Sequence, residues 1–265
     1  MSLQYECQHV AEHRFNGLLD RVDREYEAEQ WLMQRFLDAE NQTGWFAEVG
    51  ANDPIRLSVT FPFERLGWSG MLVEPQPELA ARCREERPNS KTVEAACGPA
   101  EGPATGELMI PRGTEHASMV GSDARVESAS RNALATISVN IRTLDEILEE
   151  HAPDQVDLVS IDVEGFTVQV LDGFTVGKWR PRLLLIEDHL VDFSIMRHPS
   201  IRAAGYRLVK RTGGNSWFVP PELVGSVPID TTERRKLRLK VARTPTRMFT
   251  RRVRDVFRRI RSVER

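Results

Sequence analysis

Two short stretches, residues 45–52 and residues 73–75, limit the choice of fold more than any other part of the chain. An apolar run leads into Glu48 and Gly50 and then stops, which is the pattern of a buried strand that ends in a tight turn. A second apolar run ends in Glu74, and residue 74 follows residue 50 by 24 positions. In α/β nucleotide-binding units, an acid at about this separation ends the second strand and accepts hydrogen bonds from ribose hydroxyls. These residues predict the adenosine-binding half of a doubly wound α/β domain.

The glycine content of the first turn bears on the kind of ligand. Only one glycine of the dinucleotide pattern G-x-G-x-x-G is present, so an NAD pyrophosphate on a helix start is disfavoured. A ligand without phosphates fits better, and we expect S-adenosylmethionine. Gly50 and Asn52 would shape the pocket for its methionine part, Glu48 would lie near its ammonium group, and Glu74 with Pro75 would bind the ribose. The alternative is an ordinary strand and turn of an α/β fold with nothing bound.

Composition and cysteine usage indicate a soluble protein of a reducing compartment. The chain has 265 residues, of which 40% are hydrophobic and 28% charged, enough for one large domain with additions or two small ones. Three cysteines at positions 7, 83 and 97 match neither a disulfide framework nor a zinc pattern. The sequence contains no apolar run of membrane-spanning length and no secretory signal at its start. We therefore expect a cytoplasmic protein.

The carboxyl-terminal tail differs in charge from the rest of the chain. Residues 232–265 hold 14 of the 36 Lys and Arg but only 3 of the 39 Asp and Glu, which leaves the body acidic. From residue 248 onward, apolar residues recur at three- and four-residue steps among arginines, as in helices that lie at an anionic membrane surface. We expect peripheral contact with the inner face of a membrane. Packing against the acidic body, a homodimer contact and a nucleic-acid arm are the alternatives.

The order of predicted elements gives an α/β fold with three parts. Residues 1–43 form an amino-terminal helical cap, residues 44–222 the main domain and residues 223–265 the tail. Within the main domain, strands alternate with helices, including a helix over residues 54–66 and a strand over residues 92–97. Residues 98–135 interrupt the alternation and predict an insertion that acts as a lid or substrate loop, with a strand at residues 106–110. A hairpin over residues 206–219 would close a mostly parallel, doubly wound sheet of seven strands, which is the arrangement of class I (Rossmann-like) methyltransferases.

Several motifs together resemble the FkbM family of S-adenosylmethionine-dependent methyltransferases. In chain order, they are EVGAND at residues 48–53, GW at 67–68, VEP at 73–75, RTLD at 142–145, SIDVEG at 160–165 and IE at 186–187. The resemblance covers residues 45–220, and its most specific part is residues 161–165. It implies O-methylation of a hydroxyl on a small molecule or a sugar, such as a polysaccharide, a glycolipid or a natural-product glycoside. The chain has Glu48 and Pro54 where the family usually has Asp and Gly.

The candidate site residues follow from the ends of the predicted strands. In doubly wound sheets, ligands bind outside the carboxyl ends of the strands, so we expect the carboxylates of Glu48, Glu74, Asp162 and Glu187 to converge there. Ala96 and Cys97 follow the third strand, near the expected position of adenine. Cys97 is interpreted as a small buried residue rather than a reactive thiol.

Methyl transfer to oxygen needs a base or a metal, because an alcohol is a poor nucleophile until it loses its proton. In one scheme His189 takes the proton directly, with Asp162 and Glu187 nearby. In the other, Asp162, Glu187 and Asp188 hold Mg²⁺, which prefers oxygen ligands and makes the hydroxyl more acidic. We favour direct base catalysis by His189. The alternative for this residue is a solvated loop histidine with no catalytic role.

Three further residues are candidates for contact with the acceptor. They are His116 in the insertion, Glu164 after the predicted strand and Asp188 beside Glu187. The alternatives are an exposed histidine for His116 and a first-turn helix acid for Glu164.

Competing functions are less well supported by the sequence. No Asn/Asp-Pro-Pro-aromatic run and no Pro-Cys nucleophile is present, which disfavours methylation of nucleic-acid bases. The rival from another class is a non-catalytic nucleotide-fold protein that acts through its basic tail.

Overall fold

A computed structural model describes residues 19–56, 58–111, 118–119, 133–188 and 194–242 of the chain. The strands described are, in chain order, β1 (Trp45–Val49), β2 (Ser69–Val73), β3 (Ser90–Val93), β4 (Ala96–Cys97), β5 (Thr105–Pro111), β6 (Ser118–Met119), β7 (Ala133–Arg142), β8 (Leu158–Ile161), β9 (Leu183–Glu187), β10 (Arg207–Thr212) and β11 (Asn215–Val219). The α-helices are α1 (Leu19–Leu37), α2 (Phe61–Arg65), α3 (Pro77–Glu86), α4 (Leu144–His151), α5 (Thr167–Asp172), α6 (Val176–Trp179) and α7 (Pro199–Ala203). Short 3₁₀ turns lie at Ser194–Arg197 and Pro221–Leu223, and residues 231–242 are helical.

The main sheet has seven strands in the order β10-β11-β9-β8-β1-β2-β3. The five strands from β9 to β3 run parallel, and β11 is antiparallel to both of its neighbours. All five residues of β1 are buried, as expected for a central strand covered on both faces. The predicted fold class, a doubly wound and mostly parallel sheet with an antiparallel carboxyl-terminal hairpin, is confirmed.

Helices cover both faces of the main sheet, and each face has its own core. Along β1, Phe46 packs into one core and its neighbour Ala47 into the other, because successive side chains of a strand point to opposite faces. One core is shared with α1, α2 and α3, through residues such as Met33 and Phe63. The other is shared with α4, α5, α6 and α7, through residues such as Leu144.

Two predicted elements near the first turn differ from the structure. The predicted helix over residues 54–66 is confined to α2, because Asp53 Oδ1 accepts hydrogen bonds from the backbone N–H groups of Ile55 (3.0 Å) and Arg56 (2.8 Å) and so favours a turn over a helix. The predicted strand over residues 92–97 is two strands. Of these, β3 belongs to the main sheet, whereas β4 pairs with β7 in a second sheet.

The second sheet has the order β4-β7-β5-β6. Its strands β5 and β6 belong to the predicted insertion at residues 98–135, whereas β4 and most of β7 lie outside it. The long strands β5 and β7 pair antiparallel, which confirms the strand predicted at residues 106–110. Residues 112–117 and 120–132, which include His116, lie outside the described residues. The lid role of the insertion therefore stays a prediction.

Helix α1 runs antiparallel to the parallel strands of the main sheet. Near its end, Leu37 O accepts a hydrogen bond from Arg182, which precedes β9. Eight residues earlier in α1, Glu29 accepts hydrogen bonds from Thr212 Oγ1 and Asn215 Nδ2 at the turn between β10 and β11. Asn215 pairs with Glu187 at the end of β9, so this turn marks the carboxyl edge of the sheet. Residues 19–28 of α1 therefore extend past that edge.

The helix at residues 231–242 is attached to the main sheet beside α1. Glu233 pairs with Lys210 of β10 at 2.5 Å, and Arg234 donates a hydrogen bond to Val227 O at 3.1 Å. No helix among the described residues is long and apolar enough to cross a membrane.

Candidate functional site

The turn after β1 brings the chain close to the end of β8, and Gly50 is central to it. The N–H groups of Gly50 and Ala51 both donate to Val73 O of β2, at 2.9 and 3.2 Å. Gly50 has a φ of +84°, and a Cβ placed on it would lie 1.8 Å from Asp162 O. Glycine is therefore required here both by its backbone conformation and by the closeness of Asp162.

Glu74, predicted to bind ribose, lies at the end of β2 beside this turn. Its carboxylate accepts hydrogen bonds from the backbone N–H groups of Asn52 and Gln76, each at 2.9 Å. The residue is only 3% exposed, and burial raises the pKa of its carboxyl while the two N–H donors oppose that shift. Each carboxylate oxygen can accept more than one hydrogen bond, so Glu74 is oriented by the backbone and retains the capacity to accept ligand hydroxyls. Pro75 links it to Gln76.

Glu48 is directed into the protein rather than towards the turn. Its Oε2 accepts hydrogen bonds from Ser58 Oγ (2.6 Å) and Thr60 Oγ1 (2.5 Å), and its Oε1 accepts from Val59 N (3.0 Å). Burial raises the pKa of this carboxyl, and nearby Arg87 opposes the shift. The structure thus gives Glu48 a role in holding residues 58–60. Its predicted contact with a cofactor ammonium group stays a prediction.

Three carboxylates meet where β8 and β9 end. Asp162, Glu164 and Glu187 each offer an oxygen, and these oxygens all lie within 4.8 Å of one another. Burial is the main cause that raises the pKa of Glu187, a hydrogen bond with Asp162 opposes it, and the negative charge of Glu164 adds to it. Of the four carboxylates expected to converge, the structure brings Asp162 and Glu187 together. Glu48 is instead bound to residues 58–60, and Glu74 to the backbone of Asn52 and Gln76.

The group of three carboxylates contains Glu164 and does not contain Asp188, the third of the predicted metal ligands. Asp188 is 3% exposed, and its Oδ2 lies 3.7 Å from Arg211 Nη1. Its backbone N–H donates to Gly214 O at 2.8 Å, while its carbonyl oxygen accepts from Arg211 Nη2. Neighbouring residues at the end of a strand point in different directions, but the negative charge of Asp188 still adds to the rise in the pKa of Glu187. The predicted metal role of Asp188 stays a prediction.

Glu164 reaches the other two carboxylates through an unusual backbone turn. It has a φ of +45° and is followed by Gly165 at +87°, so the chain reverses directly after β8. These two successive left-handed residues bring Glu164 beside Asp162.

The remaining predicted site residues are placed as follows. Ala96 and Cys97 are buried in β4, and burial raises the pKa of the Cys97 thiol to about 12, which confirms the interpretation of Cys97 as a buried, unreactive residue. Their contact with adenine stays a prediction. His189, the predicted base, lies outside the described residues.

Sequence reasoning missed one buried charge near the site. Arg87, at the end of α3, is fully buried and donates hydrogen bonds to the segment that follows the first turn. An arginine between a helix and a proline has no distinctive pattern, because most arginines lie on the surface.

The sheet order, five parallel strands closed by an antiparallel carboxyl-terminal hairpin, is the arrangement predicted for class I, Rossmann-like methyltransferases. Within that class, the family model described as Methyltransferase FkbM domain matches residues 48–208. The chain belongs to the FkbM methyltransferase family, which confirms the resemblance inferred from its motifs. A search of curated proteins gives no match.

Among solved structures, the chain is similar to several methyltransferases. The N-terminal domain of human METTL16 is 11% identical, with 72% of this chain and 67% of that chain covered and a TM-score of 0.40. Precorrin-6y C5,15-methyltransferase from Geobacter metallireducens is 12% identical, with 71% and 85% covered and a TM-score of 0.36. A TehB-like SAM-dependent methyltransferase from Corynebacterium glutamicum is 10% identical, with 73% and 96% covered and a TM-score of 0.38.

Proposed function

We propose that this chain is an S-adenosylmethionine-dependent O-methyltransferase that acts on a hydroxyl of a small molecule or sugar. The observation that carries the proposal is the arrangement of Glu74, a buried carboxylate oriented by two backbone N–H groups beside the Gly50 turn. It supports a ligand with vicinal hydroxyls at this edge of the sheet, and the single glycine of the turn disfavours a bound pyrophosphate. Family membership supplies the reaction class.

The carboxylates at the ends of β8 and β9 fit the chemistry of an oxygen acceptor. When bound, S-adenosylmethionine supplies an electrophilic methyl group on a positively charged sulfur. Holding an acceptor hydroxyl in line with that methyl group supplies most of the acceleration, since preorganised approach is worth about 7–11 kcal/mol in favourable cases. Glu187, with its raised pKa, is suited to accept the hydroxyl proton, because a general base works best when its pKa approaches the working pH.

Two ways of activating the hydroxyl use this same group of residues. In direct base catalysis, Glu187 takes the proton, alone or with the predicted participation of His189. In the metal-assisted alternative, Asp162, Glu164 and Glu187 supply oxygen ligands to Mg²⁺. Methyl transfer that survives dialysis against EDTA favours the first scheme, and activity restored by added Mg²⁺ favours the second.

Calorimetric titration with S-adenosylhomocysteine and with NAD tests the proposed cofactor. We expect micromolar binding of S-adenosylhomocysteine alone, weakened at least tenfold in Glu74→Ala, which is about 1.4 kcal/mol. Glu78→Ala is the matched control, since Glu78 is an exposed acid four positions further along the chain. A folded sample that binds neither ligand would refute the proposal. It would also favour the non-catalytic rival that acts through the tail.

The described part of the tail supports a second proposal, peripheral contact with an anionic membrane at its cytoplasmic face. The helix at residues 231–242 faces the body through Glu233 and Arg234. Its exposed basic side chains are Arg235, Lys236, Arg238 and Lys240. Each basic residue near an anionic surface contributes about 1 kcal/mol. Residues 243–265, which continue the basic sequence, lie outside the described residues.

Vesicle sedimentation tests this contact and separates it from its alternatives. The full chain should sediment with vesicles that contain phosphatidylserine but not with neutral phosphatidylcholine vesicles. Failure to sediment with either, together with a dimer in analytical ultracentrifugation, would instead favour self-association through the tail.

A further inference from the structure

The segment between β1 and α2 carries the turn at the candidate site, yet the described residues from 50 to 60 contain no helix or strand. A loop that must shape a binding pocket needs groups that hold it in one position. Its beginning is held by Glu74, through Asn52 N. The part from Pro54 to Thr60 has no contact of this kind with Glu74 among the hydrogen bonds described.

Arg87 holds that second part of the loop. The residue lies at the carboxyl end of α3 and is 0% exposed. Its Nη1 donates to Pro54 O at 2.8 Å and to Ser58 Oγ at 2.9 Å, and its Nη2 donates to Thr60 Oγ1 at 3.1 Å. A guanidinium has N–H donors in a rigid planar arrangement, so one side chain sets the relative positions of three loop residues.

The buried charge is compensated from two sides. Glu64 of α2 accepts a hydrogen bond from Arg87 Nε at 2.6 Å, and Glu48 Oε2 lies 3.9 Å from Arg87 Nη1. The guanidinium also lies over the rings of Phe46 and Phe61, at 5.6 and 5.4 Å from their centres. Glu48 binds the same loop from the strand side through residues 58–60. Strand, loop and helix are thereby joined by one buried network.

We propose that Arg87 is a positioning residue that, with Glu48, sets the loop for the amino-acid half of the cofactor. The inference rests on the proposed function. In this proposal, different residues position the two halves of the cofactor. Arg87 and Glu48 position the loop for the amino-acid half, whereas Glu74 binds the ribose and has no described contact with Arg87. Arg87 lies behind the loop and acts through it, without touching the ligand.

The test compares two ligands that differ only in the half that the loop would position. S-Adenosylhomocysteine contains the amino-acid chain, whereas 5′-methylthioadenosine lacks it. We expect Arg87→Met to weaken binding of S-adenosylhomocysteine at least tenfold while binding of 5′-methylthioadenosine changes less than twofold. Arg87→Lys should lie between Arg87→Met and the unmodified protein, because lysine keeps the charge but not the planar set of donors.

Two further variants make the test decisive. Arg84→Met is the matched control, since Arg84 lies on the same helix but pairs with Glu94 at the surface, and we expect it to bind both ligands normally. Thr60→Val removes one acceptor of Arg87 and one donor to Glu48 at nearly constant volume. Thr60→Val should weaken binding of S-adenosylhomocysteine selectively, but less than Arg87→Met does. It takes the place of Arg87→Met in the test if that variant does not fold.

The outcomes separate this inference from the proposed function. An equal loss of both ligands in Arg87→Met and Thr60→Val would overturn the inference, because it would indicate a general disturbance of the fold. Unchanged binding of S-adenosylhomocysteine by both variants would overturn it as well. If the unmodified protein binds neither ligand, the proposed function itself fails, and the inference fails with it.

Discussion

Replacing Gly50 by alanine should destabilise the protein far more than the same replacement at Gly67. Both glycines have a positive φ, +84° at Gly50 and +91° at Gly67, so a side chain at either position strains the backbone by about 1–2 kcal/mol. Around Gly67, nothing lies within 4 Å of the new Cβ, whereas at Gly50 the Cβ would lie 1.8 Å from Asp162 O. The pair therefore separates backbone strain from steric overlap.

The extra effect at Gly50 follows from the movement that the overlap forces. Real Cβ atoms essentially never approach another heavy atom closer than 3.0 Å, so the turn and the end of β8 must separate by more than an ångström. That movement strains the hydrogen bond from Asp162 N to Val49 O, now 2.9 Å, worth about 1 kcal/mol. Overpacking adds about 1–3 kcal/mol. We expect Gly50→Ala to lose about 3 kcal/mol more than Gly67→Ala from the free energy of unfolding.

Urea denaturation of the two variants and the unmodified protein measures this difference. Because the Gly50 turn is expected to shape the pocket for the methionine part of the cofactor, Gly50→Ala should also lose binding of S-adenosylhomocysteine, which Gly67→Ala should keep. If the two variants unfold within about 0.5 kcal/mol of each other, the close approach of residues 50 and 162 is not what makes glycine necessary at this turn, and the reasoning is refuted.

Three further predictions concern buried titratable groups. The carboxyl of Glu187 should titrate above its ordinary 4.5 in a ¹³C NMR experiment, and Glu164→Gln should lower that pKa because it removes a negative neighbour; a midpoint unaffected by the substitution would contradict the arrangement. Burial raises the pKa of Glu29 above 4.5, so the native state binds more protons than the unfolded chain above that pH. Unfolding experiments should therefore show the unmodified protein losing stability relative to Glu29→Gln as the pH rises above 4.5, and equal pH dependence would count against it. Cys97, whose thiol pKa burial raises to about 12, should react with iodoacetamide at pH 8 only after unfolding, as mass spectrometry of the native and denatured protein would show.

The sheet was predictable because its strands carry a strong local signal. Mainly apolar runs mark four of the five parallel strands, β1, β2, β8 and β9, and Gly50 and Glu74 mark where β1 and β2 end. The second sheet was not predicted, because β5 pairs with β7 across a long stretch of chain and such pairing leaves little trace in local composition. The helix predicted over residues 54–66 was too long for a different, local reason. The apolar spacing of these residues is typical of a helix, but the hydrogen bonds from two backbone N–H groups to the Asp53 side chain favour a turn instead.

The sequence predicted which strand ends form the site, but it predicted less well the directions in which the side chains at those ends point. That Asp162 and Glu187 approach each other follows from neighbouring parallel strands. Whether Glu164 or Asp188 joins them depends on the backbone turn after β8 and on the partner Arg211, neither of which a sequence pattern reveals. Arg87 illustrates the same limit, because a buried arginine is recognised only once its acceptors are assembled around it.

The direction of α1 carries part of the helix beyond the carboxyl edge. With Glu29 held at the turn between β10 and β11, the ten helical residues before it reach about 15 Å beyond the sheet, at 1.5 Å per residue. The turns after β1 and β2 and the end of β9 lie at the same edge, so the backbone of α1 forms part of the surroundings of that edge.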